Sequence, residues 1–394
     1  MRKLRYIDTS SKLFSPFKRS RPEATIHEKD GVVLHYTKFL KKSHKPRRAL
    51  LSYLSQPIID DLHNIPTTRF SSDGIVTGWA KALNELGYIV DVINWDDQSF
   101  VVDQDYDLLV FHGAHNFEHL KKFANHFKKS IYFSTGSYWK FHNDQEDKRF
   151  ADFKKRRGID LPRDRYIDAP EEEAYKFADG LVLLGDSSMA TTYPYRNTFT
   201  INNASYPDPH FDETEKDYIT AKSNFLYFAG SGNIHKGLDL LIEAFASLEA
   251  NLYVVGRLDE AVMKAYKKEL SSPNFHVIGE VNMRTHEFYE AMDVCAFAIL
   301  PSCSEGQAGS IVECMNQGLI PIVSKETRLD AKDFGFTLSR STITEIRQTV
   351  REVLSLPVEE VKKRSLRTRQ NAKAEHSPEY FNKTLKQHIA GILK

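Results

Sequence analysis

Short runs rich in β-branched and aromatic residues alternate with helix-length segments along most of this chain, and this alternation restricts its fold more than any other feature. A strand joining a parallel neighbour needs a crossover of a dozen or more residues, which an amphipathic helix supplies. The first half reads as strands at 48–54, 88–94, 107–112, 130–135 and 180–185. The second reads as strands at 225–230, 251–256, 275–280, 294–300, 320–324 and 335–339. Between the first two strands "GIVTGWAKALNELG" has helical apolar spacing and is stopped by Gly87, and "FEHLKKFANHFKK" reads likewise as a helix. "GLDLLIEAFASL", "LDEAVMKAYKKEL" and "THEFYEAM" fill gaps in the second half. The expectation is α/β: two doubly wound domains facing each other across a cleft, with ligands outside the carboxyl ends of the strands.

The boundaries follow from composition. Residues 1–45 read as an N-terminal extension, 46–207 as the first domain and 224–376 as the second; 377–394 form a C-terminal helix, about 378–393. The linker, 208–223, lies in "YPDPHFDETEKDYITAKSN", which is polar, acidic and carries two prolines. A chain of 394 residues that is 41% hydrophobic has material for two cores. Its net charge of +1 gives no electrostatic ground for nucleic acid as a partner. No window has the apolar run of a membrane span, and the start "MRKLRYIDTSSKLFSPFKRSRP" lacks a signal-peptide core, so a soluble, cytoplasmic protein is expected. That basic start reads as a solvated arm, with peripheral association at the inner face of the membrane as the alternative. Cys295, Cys303 and Cys314 have neither metal-ligand spacing nor the numbers for a disulfide framework.

Two stretches carry chemistry. In "FAGSGNIHKGLDLLIEAF", Gly230 and Gly232 permit a tight turn around Ser231, and the following helix offers free N–H groups and a positive dipole end. Lys236 stands at that helix start as a point charge suited to a pyrophosphate. The bland alternative is an ordinary strand-to-helix turn with a solvated lysine. In "CSEGQAGSIVECMNQGLIPIV", Glu305 falls on a loop at the sheet's carboxyl edge, and "GQAGS" leads into a helix beginning near Ser310. An acid between two anion-binding helix starts does not help to bind phosphate, so sugar hydroxyls are its expected partners. Glu313 lies one turn inside the helix, where it would reach a ribose or complete a capping box with Ser310.

Together these stretches resemble the retaining glycosyltransferases of the GT-B fold, family 4-like and of bacterial type. "EGQAGSIVECMNQGLIPIVS" is similar to that family's E-x7-E region, and "FAGSGNIHKGLDLLIEAF" to its donor-phosphate loop. The resemblance covers residues 224 to 340 well and the first half weakly. It implies two Rossmann-like domains, the first for the acceptor and the second for a nucleotide-sugar donor, with the C-terminal helix crossing back onto the first. It further implies that Glu313 binds the ribose, Glu305 faces the donor sugar and Lys236 holds the diphosphate, helped by amides of Gly306, Gln307, Ala308 and Gly309. "DLLVFHG" resembles the family's strand ending in a cleft histidine, which places His112 near the transferred sugar; a hydrogen-bonded histidine at a strand end is the plainer alternative. Two departures stand out: Ser231 where the family usually has an arginine, and Gln307 in place of its phenylalanine. Arg257, closing a neighbouring strand, is the expected substitute cation. In "TGSYWKFHNDQEDKR", Tyr138, Trp139 and His142 form a candidate acceptor wall, with plain packing as the other reading.

The function implied is transfer of a sugar, with retention, from a nucleotide-diphosphate sugar to a glycan or lipid-linked acceptor in surface polysaccharide biosynthesis. No cofactor is expected beyond the donor as co-substrate, and no metal ligands are read in these loops. A nucleotide-sugar epimerase or phosphorylase on the same fold is the second reading. A degenerate scaffold that binds nucleotide or glycan without catalysis is the third.

Overall fold

The computed structural model describes residues 24–27, 31–41, 45–67, 69–206 and 216–394. The basic start up to residue 23 and the linker stretch 207–215 lie outside the described residues.

The first sheet contains β1 Thr25–His27, β2 Val32–Tyr36, β3 Arg47–Tyr53, β4 Tyr88–Asn94, β5 Leu108–Phe111, β6 Ser130–Ser134, β7 Gly180–Leu184 and β8 Thr198–Ile201. Their spatial order is β1-β2-β4-β3-β5-β6-β7-β8. Strands β3 to β8 run parallel, whereas β2 lies antiparallel on β4 and β1 antiparallel on β2. Thus residues 25–27 and 32–36, inside the stretch expected to be an extension, belong to the first sheet. A buried carboxylate holds β2 there: Asp91 of β4 accepts from the His35 amide at 2.7 Å, the Tyr106 hydroxyl at 2.7 Å and Arg48 at 2.8 Å.

The second sheet contains β9 Asn224–Ala229, β10 Asn251–Gly256, β11 Phe275–Gly279, β12 Phe297–Leu300, β13 Ile320–Ser324 and β14 Phe336–Leu338. All its pairings are parallel, in the order β11-β10-β9-β12-β13-β14. The order reverses between β9 and β12, so the loops after these two strands open the crevice in which such sheets bind ligands. In the first sheet the corresponding reversal lies between β3 and β5. β12 starts later than its apolar run, because Val294 still closes the helix His286–Asp293. The expected helix at 117–129 is a single α turn, Phe117–Leu120, followed by a 3-10 segment kinked at Phe123.

Two helices cross between the halves. The C-terminal helix Pro378–Ile392 puts Phe381, Leu385, Ile389 and Ile392 into the core beneath the first sheet. Their three- and four-residue spacing makes one apolar stripe. The other crossing is not legible in the sequence. Helix Trp139–Arg157 follows β6 of the first sheet, yet its Phe150 and Phe153 are buried in the second domain's core. Arg149 donates to the Pro301 carbonyl at 2.9 Å, Arg157 to Glu269 at 2.8 Å, and Arg156 pairs with Asp239 and Glu243. The helix expected as part of residues 46–207 therefore packs as part of the second domain. Among the described residues, no helix is long and apolar enough to cross a membrane.

Candidate functional site

The loop after β9 turns through Gly230–Gly237 into the helix Leu238–Phe245, and the loop after β12 runs from Pro301 into the helix Gly309–Asn316. The start of the helix Gly309–Asn316 and, from the other loop, Gly230, Ser231 and Lys236 face one cavity of about 320 Å³, while the amides of Gly237 and Leu238 are bonded within their own turn. Its lining includes Gly230, Ser231, Lys236, Arg257, Glu305, Ala308, Gly309, Ser310 and Glu313, which were singled out in the sequence. Gly232, at φ +93°, lies beneath the side-chain stem of Arg165: a Cβ there would come within 3.0 Å of Arg165 Cγ.

A second cavity, of about 580 Å³, opens toward the first domain. His112, His142, Gly306 and the 134–137 loop line it, and Arg165 and Glu305 line both cavities. Glu305 thus stands at the junction. Its carboxylate pairs with Lys236 and accepts from the Ser302 hydroxyl at 2.8 Å. Burial opposes its ionisation, but Lys236, His235 and Arg165 outweigh burial and hold the carboxyl down at about 2. Its backbone is fixed as well, the carbonyl accepting from Ser137 of the first domain at 2.8 Å.

Glu313 does not cap its helix. The helix begins at Gly309 after Ala308, which gives no side-chain cap. The Glu313 carboxylate instead accepts from the Ser205 hydroxyl at 2.9 Å, with Arg284 at 3.7 Å. The carboxylate is thereby anchored at the wall of the smaller cavity. His112 follows β5, with its Nδ1 2.9 Å from the Phe133 carbonyl and its ring edge-on to Tyr53 at 4.8 Å. Burial lowers its pKa, which keeps the ring neutral and its other nitrogen a neutral hydrogen-bonding group.

Two expectations are corrected. Gln307 lines neither cavity: its Oε1 accepts from the Asn203 amide at 2.7 Å, and its Nε2 donates to Asn202 at 3.0 Å and to the Arg328 carbonyl at 2.9 Å. It fastens the second domain to the first, a task phenylalanine could not perform. Tyr138 and Trp139 turn away from the larger cavity, both donating to Glu172 at 2.9 Å, so of the expected acceptor wall only His142 lines it. Separately, among the described residues one set has the spacing to hold a metal ion: ligand atoms of buried His142, Glu146 and His235 lie within 4.8 Å of one another. Here His142 Nε2 is bonded to the Arg165 carbonyl at 2.7 Å, while His235 Nδ1 lies 3.5 Å from Glu146 Oε2. Sequence reasoning missed Arg165 and Arg69, which stand in no motif, and gave no role to His235 and Glu146, which lie within the stretches "FAGSGNIHKGLDLLIEAF" and "TGSYWKFHNDQEDKR" and meet only through helix Trp139–Arg157.

Residues 211–374 match the family described as "Glycosyl transferases group 1". A comparison with curated proteins returns no match. Among solved structures, TarM of S. aureus is 13% identical with a TM-score of 0.52, over 73% of this chain and 55% of its own, so this chain spans about half the length of TarM. Sucrose-phosphate synthase from Thermosynechococcus elongatus is 12% identical with a TM-score of 0.63, over 89% of this chain and 99% of its own. Anabaena Alr3699/HepE, solved in complex with UDP-glucose, is 13% identical with a TM-score of 0.53, over 87% of this chain and 99% of its own. At these identities the likeness shows the fold, the two-domain GT-B architecture.

Proposed function

We propose that this chain is a retaining glycosyltransferase, moving a sugar from a nucleoside diphosphate sugar to a glycan or lipid-linked acceptor in the assembly of a surface polysaccharide. The observation that carries the reading is the pair of cavities meeting at Glu305, with the Gly309 helix start, the Gly230–Ser231 turn and Lys236 around the smaller one. The nucleoside occupies the smaller cavity with its ribose on Glu313, and the sugar points past Glu305 toward His112. As the glycosidic bond breaks, negative charge develops on the departing diphosphate. Preorganised N–H groups and Lys236 stabilise that charge without a divalent ion and without reorganisation at the moment of reaction. The acceptor hydroxyl approaches from the same face, through the larger cavity, and gives its proton to the leaving phosphate. Water is kept out by the closed interface, where the Gly306 backbone lies so near Thr135 that a Cβ would fall 2.0 Å from the carbonyl oxygen.

The test is a transfer and thermal-shift panel of nucleotide sugars on wild type and Glu313→Ala. UDP-glucose goes first, because one of the similar structures was solved with it. The expected result is that one donor stabilises wild type, is slowly hydrolysed or transferred with retained anomeric configuration, and ceases to stabilise Glu313→Ala. A wild-type protein that binds no nucleotide sugar, or a product of inverted configuration, overturns the reading.

A further inference from the structure

The smaller cavity presents a charge problem. Three acids line it, Glu280, Glu305 and Glu313, against two cations from the second half, Lys236 and Arg257. Lys236 is already paired with Glu305. Left so, the lining is net negative, and even with Arg284 standing 3.7 Å from Glu313 the charges only balance, a poor receptor for a diphosphate. Two arginines from the first half, Arg69 and Arg165, turn it positive. They differ in position: Arg165 borders both cavities, beside Glu305, whereas Arg69 and Arg257 border the smaller one alone. A donor with its nucleoside in one cavity and its sugar in the other has its diphosphate at that junction.

Arg165 is held there with unusual completeness. Its amide donates to Glu146 Oε1 at 3.0 Å, and its carbonyl accepts from His142 Nε2 at 2.7 Å. Two residues on, the Ile167 amide and carbonyl are each bonded to the Asn143 side chain at 2.9 Å. Four backbone groups of a loop are thus satisfied by three side chains of helix Trp139–Arg157, which is itself buried in the second domain's core. Behind them His142 Nδ1 touches the Ser304 hydroxyl at 3.2 Å, locking the ring to the Glu305 loop. The guanidinium, by contrast, faces the cleft and makes no ion pair with any described residue, and its stem covers Gly232. A rigid backbone carrying an unspent planar cation is suited to bidentate phosphate recognition.

We infer that Arg165 is the diphosphate-binding arginine of this site, supplied from the first half of the chain, with Glu146 and His142 as its positioning residues. It occupies the role left open by Ser231, and it does so in place of Arg257. Because the helix that holds this loop packs in the second domain's core, the cation is tied to the same domain as the phosphate loop.

This inference rests on the proposed sugar-transfer reading, and the experiment separates the two. Calorimetric titration of the full chain with UDP, GDP, ADP and dTDP identifies the diphosphate bound by wild type, and the matching monophosphate is then titrated. Arg165→Ala is expected to weaken the diphosphate by tenfold or more while changing monophosphate affinity less than about threefold, the scale of lost charge-assisted hydrogen bonds. Arg165→Lys recovers part of the loss, and Arg257→Ala leaves the ratio of the two affinities near that of wild type. Glu146→Leu lowers the same ratio, and Glu146→Gln, whose amide oxygen can still accept from the Arg165 amide, restores it. If Glu146→Leu does not fold, Arg165→Ala decides by itself. Equal diphosphate binding by wild type and Arg165→Ala, or an Arg257→Ala variant that alone loses the discrimination, overturns the inference and leaves the sugar-transfer reading intact. A wild type that binds none of the four overturns both.

Discussion

Arg156→Met tests whether helix Trp139–Arg157 belongs to the second domain. Arg156 is 16% exposed and lies between Asp239, which is fully buried, and Glu243, which is one-fifth exposed. Methionine keeps much of the aliphatic packing but leaves the Asp239 carboxylate without its guanidinium, away from water. Burial already pushes that carboxyl up, against the pull of Arg149 and Arg156. Removing one partner of a buried pair costs about 3–5 kcal/mol. Arg149 remains as a second cation and Glu243 can turn to solvent, so a loss of about 3 kcal/mol is expected. Asp239→Asn in the same background removes the stranded charge and recovers about 2 kcal/mol, a coupling within the range of contacting residues. Urea unfolding followed by far-UV circular dichroism at pH 7 reads each value from the midpoint at constant slope. A loss under about 1 kcal/mol, the worth of an exposed ion pair, would refute the reasoning, since it would mean that Asp239 is solvated and the helix is not docked.

Three further predictions concern the interdomain contacts. His376 is buried with its Nδ1 2.9 Å from the Asn203 carbonyl, and burial lowers its pKa to about 4 from an ordinary 6.5. The folded protein therefore disfavours the charged ring. Its stability is full above pH 6.5 and declines as pH falls toward 4, by on the order of 2 kcal/mol at pH 4.5. His376→Gln should flatten that part of the urea-midpoint profile, and an unchanged profile refutes the assignment. Gly306→Ala places a Cβ 2.0 Å from the Thr135 carbonyl oxygen. The domains must separate, so scattering should show a larger radius of gyration and transfer should fall at least tenfold; wild-type values for both would show that the approach is loose. Gln307→Ala leaves the buried Asn203 amide without its partner across the interface, while the Arg328 carbonyl keeps the Asp186 amide, which should cost about 1–3 kcal/mol. A change under about 0.5 kcal/mol by urea unfolding would mean that water replaces the amide.

The sequence by itself located the strands that build both sheets, because a parallel strand covered on both faces is a continuous apolar run and its helix carries a 3.6-residue stripe. It also marked the turns after β9 and β12, where glycines and a helix start leave a local signature. Strands β1, β2 and β8 escaped: the edge segments β1 and β8 are short and half-exposed and carry little pattern, and β2 is a five-residue run that includes a histidine. Tertiary structure alone decided the rest. No periodicity announces that helix Trp139–Arg157 leaves its own sheet for the other domain, since the charged residues that meet partners, Glu146, Arg149, Arg156 and Arg157, are interleaved with solvated ones such as Lys140, Asp144 and Lys148. Nor does any motif bring together His142 and Ser304, 162 positions apart, or pair the Lys236 ammonium directly with Glu305. Local rules act over a turn or a strand, whereas a site that joins two domains is set by which buried surfaces meet. Arg165 looks in the sequence like one more solvated arginine; only the packing beneath it directs its charge into the cleft.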